Sequence, residues 1–135
     1  MTETARILEE IFDKGFATKE VEVIEGKLKA VISTLAAKDQ LEIEEFMNRD
    51  KIKNNPAAYV IHLYSIKLLS KTIVSYGDKK FKDANEAYDF LGGLANAIVD
   101  KLVKAQNALE KDVRKALNSE TIDENFSVPG SSSGN

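Results

Sequence analysis

Few residues in this chain are suited to chemistry. His62 is the only histidine, and a helical metal ligand or general base needs a carboxylate or second ligand three or four positions away. Those positions hold Ala58, Tyr59, Ser65 and Ile66, so His62 reads as a histidine at the edge of a core. Glu9 and Glu10, and Glu42, Glu44 and Glu45, are the carboxylate groups that could serve acid–base work or hold a cation. Adjacent positions diverge around a helix, and these acids read as solvated faces. Cysteine is absent, which removes disulfides, thiolate zinc, iron–sulfur ligation and thiol nucleophiles together. Gly92-Gly93 lacks a strand before it and a Lys-Ser/Thr after it, so it reads as a hinge or cap and not as a phosphate cradle. Lys79, Lys80 and Lys82 surround Phe81 in the manner of a small single-strand platform. Asp78 and Asp83 flank that group, and a wet loop is the better reading. Asn125-Phe126-Ser127 matches an N-glycosylation acceptor, but the opening residues do not read as a secretory signal. The sequence therefore assigns no catalytic residue, no metal ligand and no cofactor.

The remaining residues must be understood through the elements that carry them. The chain has 135 residues, a formal net charge of -3, and 30% charged against 43% hydrophobic side chains. That is enough for one ordinary core. The acidic balance argues against binding nucleic acid by counterion release, and no apolar run approaches the ~20 residues of a membrane span. The charge is unevenly spread: residues 1–50 carry 7 basic and 12 acidic side chains, residues 51–135 carry 12 and 10. A change of hydrophobic period near Arg49–Asn55 accompanies this asymmetry. The expected organisation is 1–50 for an N-terminal helix, β-hairpin and acidic helix, 51–117 for a helical subdomain, and 118–135 for a flexible tail.

The expected fold class is α+β, mostly α, with a short helix and hairpin followed by a bundle of about four helices. Ile7, Leu8, Ile11 and Phe12 recur at helical spacing between the capping candidates Thr2 or Thr4 and Gly15. Val21–Ile24 and Leu28–Ile32 alternate as strands around Glu25-Gly26-Lys27, where Gly26 can supply a positive φ. Thr34 is placed to cap a helix from about Leu35 to Asn48. Asn55-Pro56 predicts the start of a long helix from about Ala57 to Tyr76, apolar on more than one face and closed by Gly77-Asp78. Asp83 can cap a helix over Ala84–Leu91, and a last helix from about Ala95 to Leu117 places Ile98, Leu102, Ala105, Leu109, Val113 and Leu117 in one stripe. Beyond Asn118 the chain is polar, and a Pro-Gly-Ser-rich end cannot offset its ordering entropy. Ile122 and Phe126 form an apolar clip within it.

With no catalytic constellation and several apolar surfaces, the chain reads as a binding protein. A two-stranded hairpin is marginal alone, so its apolar positions Val21, Val23, Leu28 and Ile32 need cover from helices or from another chain. Tyr59, Leu63 and Ile66 form a second candidate face, Leu94, Ile98, Leu102 and Leu109 a third, and Phe126 a separate contact. Any of these residues can equally belong to the molecule's own core, since a chain this small has few apolar positions to spare.

The order of parts resembles the small tail assembly chaperones of tailed bacteriophages. The resemblance rests on Val21–Ile32 running into Ser33-Thr34-Leu35 and the acidic helix Leu41-Glu42-Ile43-Glu44-Glu45-Phe46. It continues through Tyr64-Ser65-Ile66-Lys67-Leu68-Leu69, Ile73-Val74-Ser75-Tyr76-Gly77, Phe90-Leu91 and Ile98-Val99-Asp100-Lys101-Leu102 before the long closing helix. It spans about residues 20–117 and is a match of layout. It implies a non-enzymatic protein of the host bacterial cytoplasm that binds the helix-rich tape-measure protein and recruits tail-tube subunits. A homo-oligomer, with no nucleic-acid or membrane partner, is consistent with that role. The alternative is a structural virion subunit, such as a baseplate, hub or head–tail connector component, whose hairpin adds to a neighbour's sheet.

Overall fold

The structure is a computed structural model that describes residues 2–118. Helix α1 (Glu3–Lys14) begins where the Thr2 hydroxyl accepts the Ala5 N–H (3.1 Å) and ends at Gly15, whose φ of 86° is left-handed. Strands β1 (Thr18–Ile24) and β2 (Leu28–Ser33) form the expected hairpin, with Gly26 at φ 73° in its turn. Alternation decides which face is dry. Val21 pairs with Ala30 and Lys19 with Ile32 across the two strands, so Val21, Ala30 and Ile32 share one buried face while Glu20, Glu22 and Lys29 remain exposed.

Helix α2 (Ala37–Met47) and the single turn α3 (Asp50–Lys53) follow. Thr34 does not cap α2. Its N–H donates to the Ala17 carbonyl (2.9 Å), and its hydroxyl accepts the Ala17 N–H (3.2 Å), so it lengthens the hairpin's base. The N-cap position of α2 is Ala36, which offers no side-chain acceptor. Helix α4 (Ala57–Thr72) likewise opens at Pro56, while Asn55 turns back and donates to the Ile52 carbonyl (3.1 Å) of α3.

The main departure from the sequence reading is the fate of residues 73–76. The long helix stops at Thr72, and strand β3 (Ile73–Tyr76) begins without a loop. Ile73 has φ -76° and ψ 127°, yet its N–H still donates to the Leu69 carbonyl, so one residue converts helix to strand. The Ser33 hydroxyl donates to Thr72 O (3.2 Å), a carbonyl that the ending helix frees, while Ser70 and Thr72 turn their hydroxyls back onto Lys67 O (2.7 Å) and Leu68 O (3.0 Å) within the last turns. Continued helix would have left the second edge of β2 without partners, whereas β-branched Ile73 and Val74 suit an extended chain. Ala30 pairs with Tyr76, and Ile32 with Ile73.

A turn at Gly77 leads into β4 (Lys79–Lys80), completing an antiparallel sheet in the order β1-β2-β3-β4. Gly77 has φ 60°, and a Cβ there would lie 3.1 Å from the Leu28 side chain, so conformation and space both favour glycine. Helix α5 (Ala84–Gly92) begins with the Asp83 carboxylate accepting the Glu86 N–H (2.9 Å), as its sequence predicts. Gly93 follows at φ -92°, outside the left-handed region. Phe81 is half-buried beside Phe90 (5.4 Å between rings), and Phe90 meets Tyr76 edge-on (5.1 Å). The lysine-flanked ring thus packs inward.

Helix α6 (Asn96–Leu117) crosses the buried face of β1 and β2 beside α1. Its fully covered residues are Val99, Leu102, Gln106, Leu109 and Ala116, while Leu117 is exposed. The buried stripe is therefore turned slightly from the expected one and includes a polar residue. One apolar cluster runs from Ile7 through Val21, Ala30 and Ile32 to Leu69, Leu91, Leu102 and Leu109, so the core is continuous across residue 50.

The outer edge of β1 is tied down at both ends. The Thr18 N–H and hydroxyl donate to the Glu10 carboxylate (2.8 and 2.6 Å), Arg6 donates to Thr18 O (3.3 Å), and Lys101 donates to Val23 O (3.3 Å). Burial raises the Glu10 carboxyl, but the two Thr18 bonds together with Lys14 and Arg6 outweigh it and hold the group below its ordinary value. A carboxyl depressed on folding contributes stability above its unfolded pKa and loses it as pH falls. Glu10→Gln should lower stability at pH 7 by about 1–3 kcal/mol and flatten the fall in thermal midpoint between about pH 5 and 3; thermal scans across that window check both. Leu102, with no exposed surface, should cost about 2–5 kcal/mol as Leu102→Ala and prevent folding as Leu102→Asp, read by urea unfolding and circular dichroism.

Candidate docking site

The twelve apolar residues singled out as partner contacts divide by burial. Val21, Val23, Ile32, Ile66, Leu102 and Leu109 are core residues, closed to a partner while the protein is folded. Leu28, Leu94 and Ile98 are partly buried against that core. Leu63 is half-buried, Tyr59 is 52% exposed, and Phe126 lies outside the described residues. The hairpin and closing helix therefore spend their apolar faces on the molecule's own interior.

Large apolar side chains are exposed singly on several elements, Phe12 of α1 and Leu41 of α2 above all, and on α4 they adjoin an apolar cleft. At 1.5 Å per residue the 16 residues of α4 extend about 24 Å, and its buried residues, Ile66, Leu68, Leu69, Ser70 and Thr72, all lie in the C-terminal half. In the N-terminal half Tyr59 and Ile61 are 52% and 65% exposed, and Val60 and Tyr64 are half-covered. The face holding Val60, Ile61 and Tyr64 meets Gln40, Ile43, Glu44 and Met47 of α2 around an apolar cleft of about 480 Å³. This is the neighbouring stripe to the expected Tyr59–Leu63–Ile66 face. The sequence signal for it was present but undirected: α4 is apolar on more sides than one element can cover.

A second, more polar cleft of about 490 Å³ adjoins the first and shares Gln40 and Tyr64 with it. Its far wall is α6, which contributes Gln106, Asn107, Glu110, Lys111 and Arg114. Together the clefts form one groove, apolar between α2 and α4 and charged beside α6. Three sets of polar contacts hold its walls. Glu110 Oε2 accepts the Leu35 N–H (2.7 Å) and the Gln106 side-chain amide (2.8 Å), and that amide also donates to Ser33 O (3.3 Å). On the opposite side of α2, Lys71 pairs with Glu42 (2.8 Å) and Asp39 (3.8 Å). Lys67 reaches from α4 between the rings of Phe46 on α2 (4.2 Å) and Tyr88 on α5 (4.8 Å). Burial lowers the Lys67 ammonium below its usual value, with Lys71 and Arg49 adding to the effect, and burial raises the Tyr88 phenol.

The arrangement is suited to holding an apolar surface. His62 is exposed, and among the described residues no group of three or more His, Cys, Asp or Glu side chains could hold a metal ion. No described helix is long and apolar enough to cross a membrane. No protein-family model, curated protein or solved structure matches the chain.

Framework and surface should separate on substitution. Glu110→Ala removes the acceptor of the Leu35 N–H and a partner of buried Gln106, and should cost about 1–3 kcal/mol. Ile61→Asp at the exposed rim should change stability by no more than about 0.5 kcal/mol; urea unfolding of both variants provides the comparison.

Proposed function

We propose that this protein is a non-enzymatic tail assembly chaperone of a tailed bacteriophage, which holds helical segments of the tape-measure protein in the α2–α4 cleft and recruits tail-tube subunits. The observation that carries this reading is the uncovered apolar half of α4, with Ile61 65% exposed beside a cleft floored by Ile43, Met47 and Val60. Scattered exposed apolar residues are ordinary, whereas an apolar groove between two helices is the geometry that accepts the apolar side of a third. A long helical client needs such a groove offered repeatedly by many small copies.

The alternative, strand addition within the virion, receives less support from β1. Its edge is occupied at Thr18 and Val23 by Glu10, Arg6 and Lys101, and the charged side chains of Glu20 and Glu22 between them discourage pairing. The opposite edge, β4, is two lysines long.

Co-expression with the tape-measure protein tests the proposal directly. The wild-type chain should co-purify with it, and Ile61→Asp should lose the complex while keeping its thermal midpoint. Quantitative mass spectrometry should find the protein abundant in infected lysate and absent from finished particles. A fixed copy number in the particle would make it a structural subunit instead.

A further inference from the structure

The apolar cleft lies within reach of the chain's own C-terminal residues. Arg114, one turn before the end of α6, lines the polar cleft together with Tyr64, and Tyr64 also lines the apolar cleft with Ile43, Met47, Val60 and Ile61. Helix α6 ends at Leu117, so residues 119–135 start beside the groove. Extended chain covers at most about 3.5 Å per residue, which lets Ile122 lie up to about 17 Å from Leu117 and Phe126 up to about 31 Å. The exposed half of α4 is only about 12 Å long. Ile122, Phe126 and Val128 are the large apolar residues of this segment. Ile122 and Phe126 stand four positions apart, as do Ile43 and Met47 on one wall of the cleft and Val60 and Tyr64 on the other. Thr121-Ile122-Asp123-Glu124 also carries the Ser/Thr-x-x-Glu pattern that opens a helical turn.

We infer that the chain's own segment 119–128 covers the α2–α4 cleft when no partner holds it, seating Ile122 and Phe126 against Ile43, Met47, Val60 and Ile61. This rests on the reading of the cleft as a docking site and adds an internal competitor to it. Connection selects this occupant: a segment joined by a few residues meets its site at an effective concentration on the order of mM, whereas any other occupant must bind from solution. Two apolar anchors four positions apart are a short form of helix-in-groove recognition, too weak as a free peptide and sufficient when tethered. A client then binds only the open fraction of molecules, so its apparent affinity falls by that fraction. The cleft is thereby closed to weak apolar partners and yields to a longer apolar stripe.

Because the chain has no cysteine, introduced pairs test the contact in the full-length protein. Asn48→Cys, at an exposed position lining the cleft, is combined with Ser127→Cys. The control pair is Asp13→Cys with Ser127→Cys, beside the exposed Phe12 on α1. Under mild oxidation the cleft pair should close within one chain at least tenfold faster than the control. Adding Ile61→Asp, or Ile122→Asp with Phe126→Asp, should bring it down to the control rate, with circular dichroism unchanged. Equal rates, a faster control pair, or a product that links two chains would overturn the inference, the last giving the cleft to a second copy. A synthetic 18-residue helix with a leucine stripe, titrated by fluorescence anisotropy, separates this outcome from the docking reading. Its affinity for the cysteine-free chain should rise at least tenfold on Ile122→Asp with Phe126→Asp. Equal affinity before and after would overturn the inference and leave the cleft as a docking site. Binding to neither chain, with the cleft pair still closing fast, would support the segment as a permanent cover and remove the docking reading.

Discussion

The architecture depends on the junction at Thr72–Ile73, where a helix becomes a strand with no residue between them. β2 is the second strand of the sheet, and both of its edges require hydrogen-bond partners once its face is buried. β1 supplies one edge through a short turn. The other is met by β3, which is the continuation of α4. With no loop to absorb a mismatch, the pairing of Ile73 with Ile32 fixes where α4 leaves the sheet and in which direction. Helix α4 therefore lies over the core for its last two turns and extends past it for its first two. The apolar surface on Val60, Ile61 and Tyr64 is a consequence of that placement, since a helix held only by packing could slide to cover it.

Polar contacts then define what the overhang faces. Helix α2 lacks a side-chain N-cap and buries only Ile43 fully, so apolar packing alone would position it weakly. Lys67 between two rings, Lys71 across two carboxylates and Glu110 on the Leu35 backbone supply the remaining restraints. Gln106 illustrates the same economy. It occupies a position in the buried stripe of α6 where an aliphatic side chain would pack, and its amide instead links Ser33 to Glu110. Among the described residues no buried side-chain polar atom lacks a partner, so this network specifies one arrangement of β2, α2 and α6. The groove between those helices keeps its shape by the same bonds.

Much of this fold was legible in the residues themselves. The limits of α1, the hairpin turn at Gly26, the Asp83 cap and the extent of α6 follow from caps, glycine and periodicity, all interactions within a few residues of each other. Readings failed where a side chain was claimed by a distant partner. Thr34 had every local reason to cap α2 but bonds Ala17, seventeen residues away. Ile73–Tyr76 continued an apolar helical pattern but was drawn into extended pairing by β2. The candidate contact residues failed for a related reason: apolar side chains look alike in sequence whether they are bound for the core or for a partner, and the hairpin and α6 residues went to the core.

The sequence by itself determined that this is an α+β chain without thiol chemistry or a local ligand cluster, because composition and short-range spacing decide those properties. It also determined that α4 carries more apolar surface than one contact can bury. Only the tertiary structure decided which α4 stripe stays open, and which side chains of α6 stand beside it. Those facts depend on the register of β3 on β2 and on where α6 crosses the sheet, and both are settled by contacts between residues more than forty positions apart.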